Sequence, residues 1–114
     1  MSFETQSPDF IAELKYRTTE EGGRRTPARS GYRPHVKFPF SKMMTSGQQT
    51  FLGQDSVKPG EIVKAEIMIL SPQFFENKLE IGMEFEVGEG SHVVAIGKLI
   101  EILNTDLIKR KAST

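Results

Sequence analysis

The stretch FIAELKYR, residues 10–17, alternates apolar and polar side chains, with Ile11 as the one apolar exception on the polar face. The apolar side chains, from Phe10 to Tyr16, fall on one face, and most residues of the other face are charged. A period of two is typical of a β-strand with one buried face. The stretch therefore predicts a half-buried strand, and residues 1–8 before it are expected to form a flexible leader.

Five further segments have the composition of strands and are separated by Gly and Pro turns. They are residues 32–40, 47–52, 62–70, 83–87 and 93–103. Pro34 and Pro39 restrict pairing in the first of these, which we therefore expect at an edge or a bend. Residues 73–80 are expected to hold at most one helical turn. Six short strands predict an all-β fold, either an antiparallel sandwich or a small closed barrel. The predicted core includes Phe10, Leu14, Phe38, Ile67, Phe85, Val94 and Ile96.

Length and composition exclude several functional classes. The chain has 114 residues, no Cys and equal numbers of basic and acidic residues, 15 of each. One domain is expected, without disulfides or thiolate chemistry, and the cytoplasm is the expected location. The longest apolar runs span four residues, against the roughly 20 that a membrane helix needs, so no membrane partner is expected.

Motifs for cofactors are also missing. The nearest match to a phosphate-binding P-loop, residues 90–99, has the wrong glycine spacing and no hydroxyl residue at its end. His35 and His92 lie far apart and lack metal-ligand spacing, so neither a metal nor a cofactor is expected. Ser30, Ser91, Glu89 and the histidines include the residue types of a nucleophile and its base, as any small protein does.

The segment EEGGRRTP, residues 20–27, is the most unusual one and precedes SGYRP at 30–34. Residues 13–42 hold eight basic and three acidic side chains, whereas residues 75–92 hold five Glu and one Lys. Two interpretations stay open. The glycines serve a hairpin turn whose arginines pair with glutamates or contact solvent, or the loop presents arginines that bind carboxylate or phosphate bidentately.

These motifs resemble the third, C-terminal domain of bacterial elongation factor Tu. The similarity runs from EEGGR, Thr26-Pro27 and SGYRP through Pro59-Gly60, Gly82, Phe85 and Gly97. It covers residues 9–103 and implies a six-stranded antiparallel Greek-key barrel. Residues 104–114, which include Lys109, Arg110 and Lys111, are expected to form a basic flexible tail.

The resemblance also implies two binding surfaces and no catalysis. In the family, the Gly-Gly-Arg loop packs toward a GTPase domain, and another surface grips the T stem of aminoacyl-tRNA. The positions implied for a protein partner, such as a GTPase domain or an exchange factor, are Gly22, Gly23, Arg24 and Arg33. The positions implied for tRNA contact are His35, Ser46, Ser71, Glu89 and Gly90.

Departures from the family concentrate at the last turn, where the family sequence R-E-G-G-R-T reads GEGSHV at residues 88–93. The loss of both arginines predicts weak tRNA binding. The loops between Pro34 and Gly47 and between Pro72 and Gly82 contain extra residues relative to the family, near the surfaces expected to meet ligands. The expected function is non-catalytic binding within the translation apparatus. The alternatives are a small hydrolase or transferase using His92 and Glu89, and a binding module outside translation.

Overall fold

The computed structural model describes residues 7–110, and within this range six antiparallel strands form a closed barrel. The strands are β1 (Phe10–Tyr16), β2 (Ala28–Arg29), β3 (His35–Lys37), β4 (Met44–Phe51), β5 (Ser56–Val57), β6 (Ile62–Ile69), β7 (Glu84–Glu89) and β8 (His92–Ile102). Their order around the barrel is β1-β6-β4-β3-β7-β8, and β2 and β5 form a separate ribbon. The all-β, six-stranded barrel predicted from the sequence is confirmed. Most of the expected leader and the last four residues lie outside the described range.

The antiparallel pairing places the loops at two ends of the barrel. Loops 17–34, 52–61 and 90–91 lie at the end that we call the upper end. Loops 38–43 and 70–83 lie at the other, lower end, together with the segment that follows β8. In the described range, no helix is long and apolar enough to cross a bilayer.

Aromatic rings fill the lower half of the core. Phe38 is fully buried and contacts Phe10, Phe75 and Phe85 at ring-centroid distances of 6.1, 5.3 and 5.5 Å. Gly97 provides the room for this cluster, because a Cβ there would lie 2.2 Å from the Phe85 ring. Phe75 belongs to a single 3₁₀ turn, Pro72–Phe75, so the short helical turn expected in this region is present.

The prediction that Ile96 belongs to the core is wrong. Its side chain is 36% exposed, whereas the other six predicted core residues are buried. Val87 pairs with Ala95 and Gly88 pairs with Val93, so Val94 is an extra residue in β8. This β-bulge puts two consecutive residues, Val94 and Ala95, into the core and reverses the alternation that follows.

Of the two expectations for residues 32–40, the edge strand is wrong, whereas the bend is present as a turn at Pro39 and Phe40. β3 pairs with β4 on one side and with β7 on the other, and so it is an interior strand. The two prolines bound the ladder instead of interrupting it, because β3 contains only residues 35–37. A proline lacks the backbone N–H but retains its carbonyl. The Pro34 carbonyl accepts a hydrogen bond from the Gly47 N–H at 2.9 Å.

The folded domain continues past the expected boundary at Leu103. A 3₁₀ turn, Thr105–Leu107, follows β8, and Leu107 is fully buried. Leu79 exchanges backbone hydrogen bonds with Leu107 and Lys109, both at 2.8 Å. The expectation of a flexible tail from residue 104 therefore does not hold through Lys109. Leu107, an apolar residue after the end of β8, closes the lower core. The basic composition of residues 104–114 gave no indication that this residue is buried.

Asp9 ties this closing segment to the barrel. Its buried carboxylate accepts hydrogen bonds from the backbone N–H of Ile69 at 2.8 Å and from the side chain of Asn104 at 2.9 Å. The Asp9 carbonyl accepts the N–H groups of Leu103 and Asn104 at 2.9 Å. One residue thus joins the start of β1, the end of β6 and the chain after β8.

Candidate functional site

The two adjacent glycines of the upper loop are required for different reasons. Gly22 has a φ of +100°, in the left-handed region. Gly23 lies against the backbone of Arg17, where a Cβ would come within 2.4 Å of the carbonyl oxygen. The Gly23 N–H donates to the Thr18 carbonyl at 2.9 Å. Positive φ at Gly22 and close backbone approach at Gly23 are therefore both used within one tight turn.

Charged groups hold the base of this turn. The guanidinium of Arg17 donates to the Val93 carbonyl at 3.1 Å and to the carbonyl of Glu21. The Glu21 carboxylate accepts the Thr18 N–H at 2.8 Å, and this hydrogen bond is the main reason that the pKa of Glu21 lies below its ordinary value. The turn is therefore fixed to the rim of the barrel.

Arg24, which follows the turn, folds back onto the barrel. Its Nη1 donates to the Glu89 carboxylate, and its other nitrogens donate to Thr26 and Pro27 at 3.2 to 3.3 Å. The guanidinium lies 4.6 Å from the centroid of the Tyr32 ring, within cation–π range. Only 19% of the side chain is exposed. Of the two interpretations of the loop, pairing with a glutamate describes Arg24, although the partner is Glu89 and not a neighbour in sequence.

Tyr32 completes a three-residue cluster. Its hydroxyl donates to the same oxygen of Glu89 that accepts from Arg24. Burial, followed by the hydrogen bond to Glu89, raises the pKa of Tyr32 above its ordinary value. Burial works to lower the pKa of Arg24, but Tyr32 and Glu89 outweigh it and the pKa is raised. The cluster therefore holds a neutral phenol and a charged ion pair near neutral pH.

A second polar pair lies beneath this cluster, inside the barrel. Tyr16 donates to Gln49 Oε1 at 2.5 Å, and both side chains are buried. Burial is the main cause that raises the pKa of Tyr16. Gln49 Nε2 has no hydrogen-bond partner among the residues described. The upper core therefore carries a buried pair of polar side chains, whereas the centre of the lower core is a cluster of aromatic rings.

The residues expected to contact tRNA lie largely on one outer band of the barrel. His35 on β3 is opposite Ser46 on β4 and opposite Gly88 on β7. The imidazole packs directly on Gly88, where a Cβ would lie 2.3 Å from Nε2. Glu89 and Gly90 continue the band toward the upper turn, and Gly90 has a φ of +56°.

Ser71 lies at the lower margin of this band. It follows Leu70, whose N–H donates to the Ser46 carbonyl at 2.9 Å, and it precedes the 3₁₀ turn at Pro72. Arg33, the remaining position expected to meet a protein, is exposed at the upper end and adjoins His35 through Pro34. The two sets of candidate residues, which the sequence presented as separate surfaces, meet where Arg24 binds Glu89.

The residue types of the enzymatic alternative are only partly brought together. Glu89 and His92 are opposite each other across the β7–β8 turn, but the Glu89 carboxylate already accepts from Arg24 and Tyr32. The Ser30 hydroxyl accepts the Phe51 N–H at 3.0 Å, which ties it to β4. Within residues 7–110, no group of three or more His, Asp or Glu side chains is placed to hold a metal ion.

No protein-family model matches the chain.

Sequence reasoning missed Tyr16 and Gln49 as site residues and did not identify Tyr32 as a ligand of Glu89. A signal for Gln49 was present, because it occupies an inward position in the alternation Thr45, Gly47, Gln49 along β4. A polar side chain at such a position requires a buried partner. The Arg24–Glu89 contact joins residues 65 apart in the sequence, and no local pattern indicates it.

Proposed function

We propose that this domain is a non-catalytic binding module similar to the third domain of elongation factor Tu, acting in the cytoplasm on a protein of the translation apparatus. The upper turn around Gly22 and Gly23 is its contact surface, and a GTPase domain or an exchange factor is the expected class of partner. Arg24 acts by positioning the turn. Arg33, exposed at the same end, is the side chain that reaches the partner.

The observation that carries this proposal is the fixation of Arg24. Its hydrogen bonds to Glu89, Thr26 and Pro27 hold a glycine turn in place on the barrel rim. A loop that is ordered before binding loses less conformational entropy when a partner docks. Gly22 is exposed and has no Cβ, so that a partner can approach its backbone closely. These features support protein recognition through a preformed loop.

The test is affinity capture with the tagged protein from lysate of its own cells, with identification of proteins and RNA. We expect a protein of the translation apparatus in the wild-type sample. Gly22→Val, which cannot adopt the φ of +100° without strain, and Arg33→Ala should each reduce its recovery by about tenfold. Lys64→Ala, on the exposed barrel wall, should match the wild type. Recovery without any translation protein, or unchanged by both loop variants, would reject the proposal.

A second candidate function, weak tRNA contact, rests on the outer band. His35 and Ser46 lie side by side on neighbouring strands, and Arg25, Arg29 and Arg33 are exposed at the upper end. Such groups bind phosphate and sugar oxygens without reading base sequence. The two family arginines missing around Glu89 make a low affinity the expected result.

Titration of labelled tRNA at several salt concentrations tests this candidate. We expect a dissociation constant above about 1 µM at physiological salt and a steep loss of affinity as salt rises, because phosphate contacts release counterions. His35→Ala should weaken binding, whereas His92→Ala, exposed across the turn, is the matched control. Submicromolar binding at physiological salt, or equal effects of the two histidine variants, would contradict the assignment.

A further inference from the structure

The lower end of the barrel carries an exposed apolar surface that the proposed function does not use. We call it the lower apolar patch and define it by Phe40, Met43, Met44, Leu70 and Phe74, which are 40%, 46%, 51%, 56% and 55% exposed. These residues come from the two loops 38–43 and 70–83 and from the adjoining strand ends. Isolated exposed apolar side chains are ordinary, but five large ones on adjoining segments are not.

The patch has two halves, Phe40 with Phe74 and Met44 with Leu70, and contacts in the structure connect both halves to the barrel. Phe40 stacks on Phe38 with ring centroids 5.5 Å apart and meets Phe75, the neighbour of Phe74, at 6.3 Å. On the other side, the Leu70 N–H donates to Ser46, two residues along β4 from Met44. These contacts anchor Phe40 on the aromatic core and Leu70 beside β4, and we infer from them that the five exposed side chains form one surface.

The size of the patch limits what can cover it. A large apolar side chain has about 200 Å² of surface, so five of them, roughly half exposed, present on the order of 500 Å². A standard protein interface buries about 800 Å² on each partner. The patch is thus too small to hold two copies of this chain together by itself. It fits the apolar stripe of one short helix, which binds in this way to hydrophobic grooves.

The charges beside the patch indicate the polar face of such a helix. Lys42 adjoins Met43, and the Lys78 ammonium lies 5.8 Å from the Phe40 ring centroid. Glu76, which follows Phe75, is also exposed. The two lysines would face acidic residues that flank an apolar stripe, while methionine side chains adapt to varied apolar partners.

We propose that the lower apolar patch binds a short amphipathic helix of another protein, whose leucine-type stripe packs on Leu70, Met44 and Phe74 and whose acidic residues face Lys42 and Lys78. This surface lies at the opposite end of the barrel from the Gly22–Gly23 turn. Its function can therefore fail or hold independently of the function proposed above.

Fluorescence anisotropy with two synthetic peptides tests the inference. Both are 14-residue helices with leucine at helical spacing, and the remaining positions carry Glu in one peptide and Lys in the other. We expect the acidic peptide to bind the wild-type protein about tenfold more tightly than the basic one. Leu70→Glu should weaken that binding by about tenfold. Ile62→Glu is the matched control, because Ile62 begins β6 at the upper end, Leu70 directly follows β6 at the lower end, and both are 56% exposed.

The charge assignment has its own variant. The double substitution Lys42→Glu with Lys78→Glu should reverse the preference in favour of the basic peptide. Circular dichroism and melting temperature confirm that each variant is folded, which we expect because all the altered side chains are exposed.

Four results would overturn the inference. They are equal binding of both peptides to the wild type, no effect of Leu70→Glu, and an equal effect of Ile62→Glu. The fourth is evidence that something else covers the patch. Such evidence would be a dimer in sedimentation experiments that Leu70→Glu dissociates. It would also be binding to phosphatidylglycerol vesicles that Leu70→Glu abolishes, in the absence of binding to either peptide.

Discussion

The two ends of this barrel are built from different chemistry. At the lower end, Phe10, Phe38, Phe75 and Phe85 pack ring against ring, and apolar residues of the same loops are exposed around them. At the upper end, hydrogen bonds and one ion pair connect Arg24, Tyr32 and Glu89 above a buried Tyr16–Gln49 pair.

This difference between the two ends separates the contacts that stabilise the fold from the contacts that position a loop. Burial of apolar area is non-directional and stabilises in proportion to the area removed from water. Hydrogen bonds to charged groups are directional and fix where a loop lies. We therefore expect the lower end to carry more of the folding free energy and the upper end to determine the position of the Gly22–Gly23 turn.

The largest effect is expected from Phe38→Ala. Phe38 lies at the centre of the ring cluster and is fully buried, so truncation should cost about 3 to 5 kcal/mol of the 5 to 15 kcal/mol typical of a domain. Phe74→Ala, at an exposed ring of the same end, should cost within about 0.5 kcal/mol. Urea unfolding measures both. Similar losses for the two variants would show that the lower core does not supply the stability attributed to it.

A smaller effect is expected from Arg24→Ala at the upper end. The substitution removes a side chain that is 19% exposed and, among residues 7–110, leaves the Tyr32 hydroxyl as the side-chain donor to Glu89, so that a loss of about 1 to 3 kcal/mol follows from the charged hydrogen bonds. Arg25→Ala, at the exposed neighbour, is the control and should stay within about 0.5 kcal/mol. If both variants melt together with the wild type, the Arg24 cluster does not fix the upper loop.

Much of the fold follows from the sequence because its strands alternate with a period of two. The pattern of β1 predicted its buried face from Phe10 to Tyr16 correctly. The pattern failed at Ile96, since a single bulged residue reverses the alternation and depends on pairing with β7. Leu107 was missed for a similar reason, because its burial depends on backbone contacts with Leu79.

The candidate site was less predictable than the fold. The need for glycine at positions 22 and 23 followed from local backbone reasoning, and the structure uses both. The contact between Arg24 and Glu89 could not be predicted in this way, because Glu89 comes close to Arg24 only when the fold brings β7 and the upper loop together. Bidentate chemistry predicted a carboxylate partner for an arginine, but it did not distinguish a carboxylate of another protein from one of the same chain.

The upper polar cluster also predicts alkaline behaviour. Tyr16 and Tyr32 are the two tyrosines of the chain, and burial raises the pKa of both. The unfolded chain loses these protons above its ordinary tyrosine pKa near 10, while the folded protein retains them. The contribution of the two tyrosines to stability is therefore constant below about pH 10, and stability falls as pH rises above it.

Absorbance at 295 nm measures tyrosinate directly, and the chain contains no Trp. At about pH 11, one unit above the ordinary tyrosine pKa, the folded protein should show little tyrosinate, whereas the protein in concentrated urea should be mostly ionised. Tyr16→Phe and Tyr32→Phe assign the signal to each ring. A native titration centred near pH 10 would mean that the upper cluster is open to solvent.

The smallest effect is expected on the barrel wall between the two ends. Lys64, Glu13, Lys98 and Glu84 lie opposite one another on four neighbouring strands, so that their charges alternate across the sheet. All four are exposed. Exposed cross-strand pairs contribute about 0.2 to 1 kcal/mol each. Lys98→Glu places three acidic side chains in a row and should lower the unfolding free energy by about 1 kcal/mol at low salt.

That loss should shrink in about 1 M NaCl, where the screening length falls to about 3 Å. Lys58→Glu, in an exposed upper loop outside the row, provides the comparison and should change stability by less than about 0.5 kcal/mol at either salt concentration. Binding of the acidic peptide should be unaltered by Lys98→Glu, because the lower apolar patch does not include this row of charges. A salt-independent loss would mean that Lys98 stabilises through the packing of its methylene chain. A change in binding would mean that the two ends are not the separate surfaces that their chemistry indicates.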